Sequence, residues 1–529
     1  MLGPDKVCAV VAAPDANSML VQLGQALRLG RTVELRLDWL SNDAEIDRFL
    51  RRLEARRLVR ASAGPTLIAT CRRREAGGRY PGTIAKQLVH LADAIRAGCA
   101  WYDLEVETAR QCPAELIEVL LGEGRQLRSA HFFERMPRNL AHVAGELRRG
   151  RPDAIKIAAQ CNSLEESRKL LDFARRQRDT VVIPMGDVAL PARILALRAR
   201  DSFAYAPVEN ATAPGQVSLA DMKDIYRAGR LGPRTSVYGV IGNPVGHSLS
   251  PAMQNAGFAA RRMNAVYLPF LVRNLRDFLD SIDPLGIRGF SVTLPHKEKI
   301  VRHLDGCDLL AERIGAVNTA VVRPGGKLYG YNTDYVGVLQ ALEKRIPLRG
   351  SRVLIVGAGG AARAVAFALV QAGGVVCVTA RRPARAKALA RAAGGEAIPR
   401  NRLHGEFFDA IVNATPVGMY PAIGAAPLEA HELNCRLVFD TIYRPRRTRL
   451  LQLAASRGIE TVSGVEMFVA QGTAQWEIWT GERAPIEPMR RAVIKALDAE
   501  EKSHSRAAGR KAPREAKLQR KMHPADDSA

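Results

Sequence analysis

Eight short apolar runs alternate with helix-like segments through the first 230 residues, and this repeat restricts the fold more than anything else in the chain. The runs are Val7–Ala12, Val33–Leu37, Leu67–Thr70, Tyr102–Leu104, Leu127–Ala130, Ala154–Ile157, Val181–Pro184 and Phe203–Ala206. Between most of them lie periodic Leu/Ala/Arg stretches such as Asp43–Arg57 and Ile84–Ala97. Parallel neighbours need a crossover connection, usually a helix, so the repeated alternation predicts a parallel sheet. Eight such units predict a (β/α)8 barrel over residues 1–230.

The pattern breaks at the turn-rich stretch Gly229-Arg-Leu-Gly-Pro233, where a domain junction is expected. A second α/β region follows over residues 235–335. A third, over 336–500, opens on the apolar run Val353–Val356 and a glycine-rich turn, with C-terminal helices expected to return to the second region. Residues 501–529 hold eight Lys/Arg against four Asp/Glu and few large apolar side chains, so they are expected to be a disordered basic tail.

Composition removes several classes of function. No apolar run approaches the roughly 20 residues of a membrane span, and no leader-like segment is expected at the N-terminus. The eight cysteines are scattered without a C-x-x-C pair, which suggests neither a zinc site nor a disulfide framework and fits a reducing cytoplasm. The net charge is +24, of which the tail supplies +4. No zinc-finger spacing or aromatic-basic signature accompanies it, so a solvated basic surface that attracts anionic small molecules is expected rather than a nucleic-acid partner.

Polar residues fall at the ends of the expected barrel strands. Glu34, Arg36 and Asp38 alternate within Val-Glu-Leu-Arg-Leu-Asp, and Asp103 and Glu105 repeat the spacing. Alternate strand residues share a face, and charges facing a barrel interior are costly unless paired with each other or with a ligand. Arg72, His131, Arg193, Thr212 and Gln216 follow other strands, at the rim where barrel active sites lie. Lys156 stands inside the apolar strand Asp-Ala-Ile-Lys-Ile-Ala. An isolated lysine there would snorkel from the strand end. Beside acids, arginines and a histidine, it reads as a desolvated amine able to attack a ketone and form an imine, with His131 moving the neighbouring proton.

These segments, with Ser129-Ala-His131, Ile155-Lys156-Ile157-Ala158 and Ala211-Thr-Ala-Pro-Gly-Gln216, resemble type I 3-dehydroquinate dehydratase over residues 5–228. The resemblance implies Lys156 as the Schiff-base lysine and His131 as the proton shuttle. It also implies Glu34 and Asp103 as supporting acids, Arg193 as a carboxylate clamp, and Arg36, Arg72, Thr212 and Gln216 as contacts to substrate oxygens. The chain departs from that family at Ala76 and Phe132, where acids are usual, and at Ala189 and Ala192, where Gly and Ser are common.

In the third region Val353–Val356 leads into Gly357-Ala358-Gly359-Gly360-Ala361-Ala362 and an Ala-rich helix. Glycines allow a tight turn and close approach of pyrophosphate, whose charge suits a helix N-terminus. The next strand ends at Ala380-Arg381-Arg382, with Arg385 beyond. Arginine at this point suits the 2′-phosphate of NADP, where an acid would suit NAD.

Seven ordered motifs then resemble shikimate dehydrogenase over residues 236–498. They are Gly242-Asn-Pro-Val-Gly-His-Ser248-Leu-Ser250-Pro, Gly289-Phe-Ser-Val-Thr293-Leu-Pro-His-Lys297, Gly315-Ala-Val-Asn318-Thr, Tyr331-Asn-Thr-Asp334, Asn413-Ala-Thr415-Pro-Val-Gly-Met419, Asp440-Thr-Ile-Tyr443-Arg-Pro445 and Gln471. The resemblance implies Lys297 and Asp334 as the catalytic pair. Ser248, Ser250, Thr293, Asn318, Tyr443 and Gln471 become substrate contacts, and Asn413, Thr415 and Gly464 join the cofactor contacts. Ser291 stands where many relatives carry Asn, and Ala380 and Arg382 depart from a common Asn-Arg-Thr pattern.

The expectation is therefore an α/β chain made of a TIM barrel, a substrate domain and a Rossmann domain. It would act as a monomer or homodimer on 3-dehydroquinate, 3-dehydroshikimate and shikimate with NADP and no metal. Quinate dehydrogenation by the second half, or a barrel kept only as a scaffold, are the alternatives.

Overall fold

The structure is a computed structural model and describes residues 3, 5–56, 64–199, 203–209 and 215–502. The tail expected to be disordered lies, apart from Glu501 and Lys502, outside the described residues, as does Thr212. Packing divides the chain into two compact units, one from Met1–Gly246 and Asn264–Arg288, the other from His247–Met263 and Gly289–Ala529.

In the first unit β1 (Val7–Val11), β2 (Thr32–Arg36), β3 (Thr66–Thr70), β4 (Trp101–Glu105), β5 (Arg125–Phe132), β6 (Ala154–Gln160), β7 (Thr180–Met185) and β8 (Ala204–Pro207) fall on the eight apolar runs. They pair in the order β7-β6-β5-β4-β3-β2-β1-β8, all in parallel. Among the described residues the ladder does not continue between β7 and β8, so the barrel is nearly closed. Pro184 of β7 and Pro207 of β8 each lack an N–H, and β8 has four residues, which weakens that seam.

Local rules set the helices between. Asp15, Asn42, Thr83 and Ser163 each accept a first-turn backbone N–H as N-caps. The helix Asp43–Ala55 buries Ile46, Phe49, Leu50 and Leu53, the three-to-four spacing of one apolar face. The same unit contains β9 (Ser236–Gly242) paired in parallel with β10 (Ala265–Leu271).

The second unit begins its sheet with β11 (Ile287–Val292), whose Gly289–Ser291 pair antiparallel with β13 (Thr319–Val322). β13 pairs antiparallel with β14 (Leu328–Tyr331), and β14 pairs in parallel with β12 (Gly306–Cys307). A fully parallel sheet follows, made of β15 (Arg352–Val356), β16 (Val375–Thr379), β17 (Glu396–Ala397), β18 (Phe408–Asn413), β19 (Cys435–Asp440) and β20 (Glu460–Val462). Its order is β17-β16-β15-β18-β19-β20, the doubly wound arrangement, with the change of direction between β15 and β18. Apolar clusters cover both of its faces. The helix Gly464–Thr480 lies against the helix Asp334–Glu343 so closely that a Cβ on Gly337 would stand 2.7 Å from the Met467 carbonyl oxygen. Among the described residues no helix is long and apolar enough to cross a membrane.

Candidate active sites

The period-two geometry of strands builds the barrel site in layers. Cys8, Ile68, Trp101, Leu127, Ala154, Val181 and Phe203 form one apolar cluster that floors the interior. Two residues further along the same strands come Val10, Thr70, Asp103, Ser129, Lys156, Ile183 and Tyr205, a largely polar layer on the same face. The next step on β4 and β5 reaches Glu105 and His131.

Lys156 is 3% exposed and donates through Nζ to Oδ2 of Asp103, which is 1% exposed. The amine also lies 4.0 Å from Oε1 of Glu34 and 3.5 Å from the Tyr205 hydroxyl. Asp103 accepts from the Ser129 hydroxyl at 2.6 Å and faces Arg72 at 3.4 Å. Burial pushes the Asp103 carboxyl up, but Lys156 and Arg72 outweigh it and hold the carboxyl well below the usual range. Glu34 is fixed by the Thr70 hydroxyl at 2.8 Å. Burial is the main cause that drives the His131 imidazole well below its ordinary value, reinforced by Arg72 and Lys156, so the ring is a neutral proton acceptor near pH 7. Its Nδ1 has no hydrogen-bond partner among the described residues, and its ring stacks on Phe133 with centroids 5.9 Å apart.

One pocket collects Glu34, Arg36, Arg72, His131, Lys156, Arg193 and Gln216. Asp103 supports it from beneath Lys156. Arg193 is held by its Nε–H to the Pro184 carbonyl at 2.6 Å, and desolvation lowers its guanidinium to about 10. Asp38 differs from its expected place. β2 ends at Arg36, and Leu37–Trp39 turns as a short 3-10 segment, from which Asp38 grips Arg36 through two bonds of 2.9 and 2.8 Å. Glu105 takes the Gln87 amide, the Thr108 hydroxyl and the Arg73 N–H, and so braces the turn after β3. Tyr205 and Ser129 were not singled out from sequence as site residues. Their signal was the strand period, which places both in the layer of Lys156.

In the second unit Lys297 Nζ donates to Asp334 Oδ2 at 2.6 Å, and Asn318 Nδ2 donates to Asp334 Oδ1 at 2.7 Å. Asp334 opens the helix Asp334–Glu343, its N–H satisfied by Asn332, while the Lys297 carbonyl accepts the Val317 N–H. The motifs around positions 297, 318 and 334 are thereby tied into one cluster. Thr333 extends it, bonding Asn318 and the Gln471 carbonyl. Gln475, one helical turn beyond Gln471 and 2% exposed, accepts from Ser291 at 2.7 Å and donates to the Asn318 carbonyl at 3.2 Å. Sequence reading missed it, although the four-residue spacing from Gln471 puts both on one helix face. Ser248 Oγ accepts the Ser250 N–H at the start of the helix Ser250–Ala260, which is docked on the Gln471 helix by Gln254 to the Gly472 carbonyl. Tyr443 stacks on Phe468 at 4.3 Å, three residues before Gln471. Thr293 sits in the turn between β11 and Lys297.

The residues after β15 fit a dinucleotide phosphate. Gly357 has φ +123° and a Cβ there would meet the Ala414 carbonyl oxygen at 2.9 Å, whereas Gly359 and Gly360 face open space at the start of the helix Gly360–Gln371. Arg381, Arg382 and Arg385 are exposed just beyond β16, and none forms an ion pair with another described residue. Asn413 Oδ1 holds Thr415 through both its N–H and its hydroxyl.

Comparison with known proteins agrees with this division. A family model described as type I 3-dehydroquinase matches residues 7–231. Models described as shikimate dehydrogenase substrate binding domain, shikimate/quinate 5-dehydrogenase and shikimate 5′-dehydrogenase C-terminal domain match residues 240–320, 340–419 and 464–494. The chain is 34% identical over 509 residues to a bifunctional 3-dehydroquinate dehydratase/shikimate dehydrogenase, chloroplastic, of Arabidopsis thaliana, covering 92% of this chain and 83% of the relative. A shikimate dehydrogenase (NADP(+)) of Methanosarcina acetivorans is 44% identical over 279 residues, covering 50% of this chain and 99% of the relative. Another, of Moorella thermoacetica, is 42% identical over 291 residues, covering 52% and 98%.

Proposed function

The chain belongs to the family of bifunctional 3-dehydroquinate dehydratase/shikimate dehydrogenases, and from that premise we propose how its residues divide two consecutive reactions. The barrel dehydrates 3-dehydroquinate to 3-dehydroshikimate. The second half reduces that ketone to shikimate with NADPH.

In the barrel Lys156 passes its ammonium proton to the neutral His131, the free amine attacks the substrate ketone, and the protonated imidazole returns that proton as the carbinolamine loses water to give the imine. The imine accepts the electron pair when His131 removes the proton beside it. His131 then returns that proton to the departing hydroxyl, and water releases the product from Lys156. Arg193 holds the substrate carboxylate, and Arg36, Arg72, Thr212 and Gln216 hold its oxygens. The observation that carries this reading is the convergence of Lys156, His131 and three arginines on a single pocket.

In the second half the reduced nicotinamide, when bound, supplies the hydride. Lys297 meets the ketone oxygen, offsets its growing charge and gives it a proton, while Asp334 and Asn318 fix the lysine. Ser248, Ser250 and Gln471 take the carboxylate side, and Thr293, Asn318 and Tyr443 the ring hydroxyls. Gly357 to Ala361 and Gly464 border the cofactor, with Arg381, Arg382 and Arg385 toward the 2′-phosphate.

Eight free cysteines support a cytoplasmic setting. Monomer or homodimer, without nucleic acid, is the assembly proposed. A coupled assay starting from 3-dehydroquinate and NADPH tests the whole reading. Wild type consumes NADPH, Lys156→Ala consumes it only when given 3-dehydroshikimate, and Lys297→Ala stops at 3-dehydroshikimate. Consumption by Lys156→Ala from 3-dehydroquinate would refute it.

A further inference from the structure

Asp440, the last residue of β19, is fully buried, and no contact role has been assigned to it. One carboxylate oxygen accepts from Asn413 Nδ2 at 3.0 Å and from the Ile442 N–H at 3.0 Å, and the other from the Thr448 hydroxyl at 2.6 Å. Each donor starts a chain of contacts. Asn413 carries Thr415, whose hydroxyl accepts the Val417 N–H, and the Asn413 carbonyl takes both the N–H and the hydroxyl of Thr441. The Ile442 carbonyl accepts the Gly464 N–H, and a Cβ on Gly464 would stand 2.4 Å from the Thr441 carbonyl oxygen. Tyr443 follows at once. Thr448 caps the helix Arg449–Ser456. Every one of these partners, on β18, on the turn after β19 and at the start of that helix, is uncharged.

A buried carboxylate without a counter-charge is costly. Asp440 holds two loops at the carboxyl ends of adjacent parallel strands, where open α/β sheets bind their ligands. We propose that Asp440 is the positioning residue that locks residues 413–418 and 441–448 into one frame, and thereby sets the affinity for the NADP cofactor. This rests on the assignment of Asn413, Thr415, Tyr443 and Gly464 above. Burial pushes the carboxyl up to about 6. Protonation turns the Thr448 contact around and weakens the acceptor facing Asn413 and Ile442, so the frame loosens on the acid side.

The test uses the full chain and calorimetric titration with NADP+, beside the KM for NADPH. Hydrogen bonds to charged groups contribute enough that Asp440→Ala should raise the Kd about tenfold or more at pH 8, and by a smaller factor at pH 5, where the wild-type carboxyl is protonated. Asp440→Asn imitates the protonated acid. Its Kd relative to wild type should fall from roughly threefold or more at pH 8 to about one at pH 5. The cofactor phosphate also titrates near pH 6, and the ratio of variant to wild type removes that contribution. If Asp440→Ala loses its cooperative melt, Thr448→Val, which deletes one partner, should raise the Kd roughly threefold at pH 8. A constant Asn-to-wild-type ratio, or Kd values for Asp440→Ala or folded Thr448→Val equal to wild type, would overturn the proposal. A wild-type chain that does not bind NADP+ would instead remove the premise, and the proposal with it.

Discussion

Replacing Lys156 by Met removes the amine and leaves Asp103 in the barrel with only Arg72 at 3.4 Å and Ser129 at 2.6 Å. Breaking a buried pair from one side costs about 3–5 kcal/mol, because the surviving charge keeps its desolvation penalty. Arg72 remains beside Asp103, so the lower end, roughly 3 kcal/mol, applies here. For a unit of this size that corresponds to a fall of roughly 6–12 °C in the melting transition of the first unit. The sign of the pH dependence follows from Asp103. In wild type its folded value is depressed, so its contribution to stability is present above the ordinary value of 3.8 and is lost as pH falls through the folded value. In Lys156→Met the lysine no longer lowers it, so the penalty shrinks at acid pH, where Asp103 can bind a proton. Differential scanning calorimetry of the full chain at pH 8 and pH 5, with the double variant Lys156→Met/Asp103→Asn, separates the contributions. The double variant should regain much of the loss. Equal melting of wild type and Lys156→Met at pH 8, to within about 1 °C, would refute the claim of a buried pair.

His131→Gln should lower kcat for dehydration by about 10²–10⁴-fold while reduction of 3-dehydroshikimate proceeds normally in the same sample. Because the imidazole lies well below its ordinary 6.5, wild-type dehydration should lose no rate to protonation of His131 as pH is lowered through 6.5, as a pH–rate profile would show. Asp334→Asn removes the carboxylate from Lys297 and should lower kcat for reduction by about 10²-fold or more, with dehydration intact. Arg381→Ala/Arg382→Ala should raise the KM for NADPH by about tenfold and leave that for NADH little changed, since only NADPH carries the 2′-phosphate.

How much of this was legible follows from the kind of signal each feature leaves. Alternating apolar runs located all eight barrel strands, because strand and helix periods differ locally. The missing β7–β8 ladder depends on two prolines and the short β8, a matter of pairing between segments that run length does not show. Lys156, His131, Lys297 and Asp334 stood out because charge in an apolar or motif context is conspicuous. Asp103 was legible as a supporting acid, but its direct bond to Lys156 spans 53 positions and required the barrel to be built. Gln475 and Tyr205 were missed because each looks like an ordinary residue of its element until the facing element is placed. Asp440 was seen only as part of a motif, since a buried carboxylate is recognisable once its surroundings are known.

The most direct measurement is reductive trapping. The full chain treated with 3-dehydroquinate and borohydride, digested and weighed by mass spectrometry, should carry the reduced adduct on the peptide containing Lys156 and on no other. An adduct on another lysine, or none in a chain that still dehydrates its substrate, would contradict imine chemistry at this position.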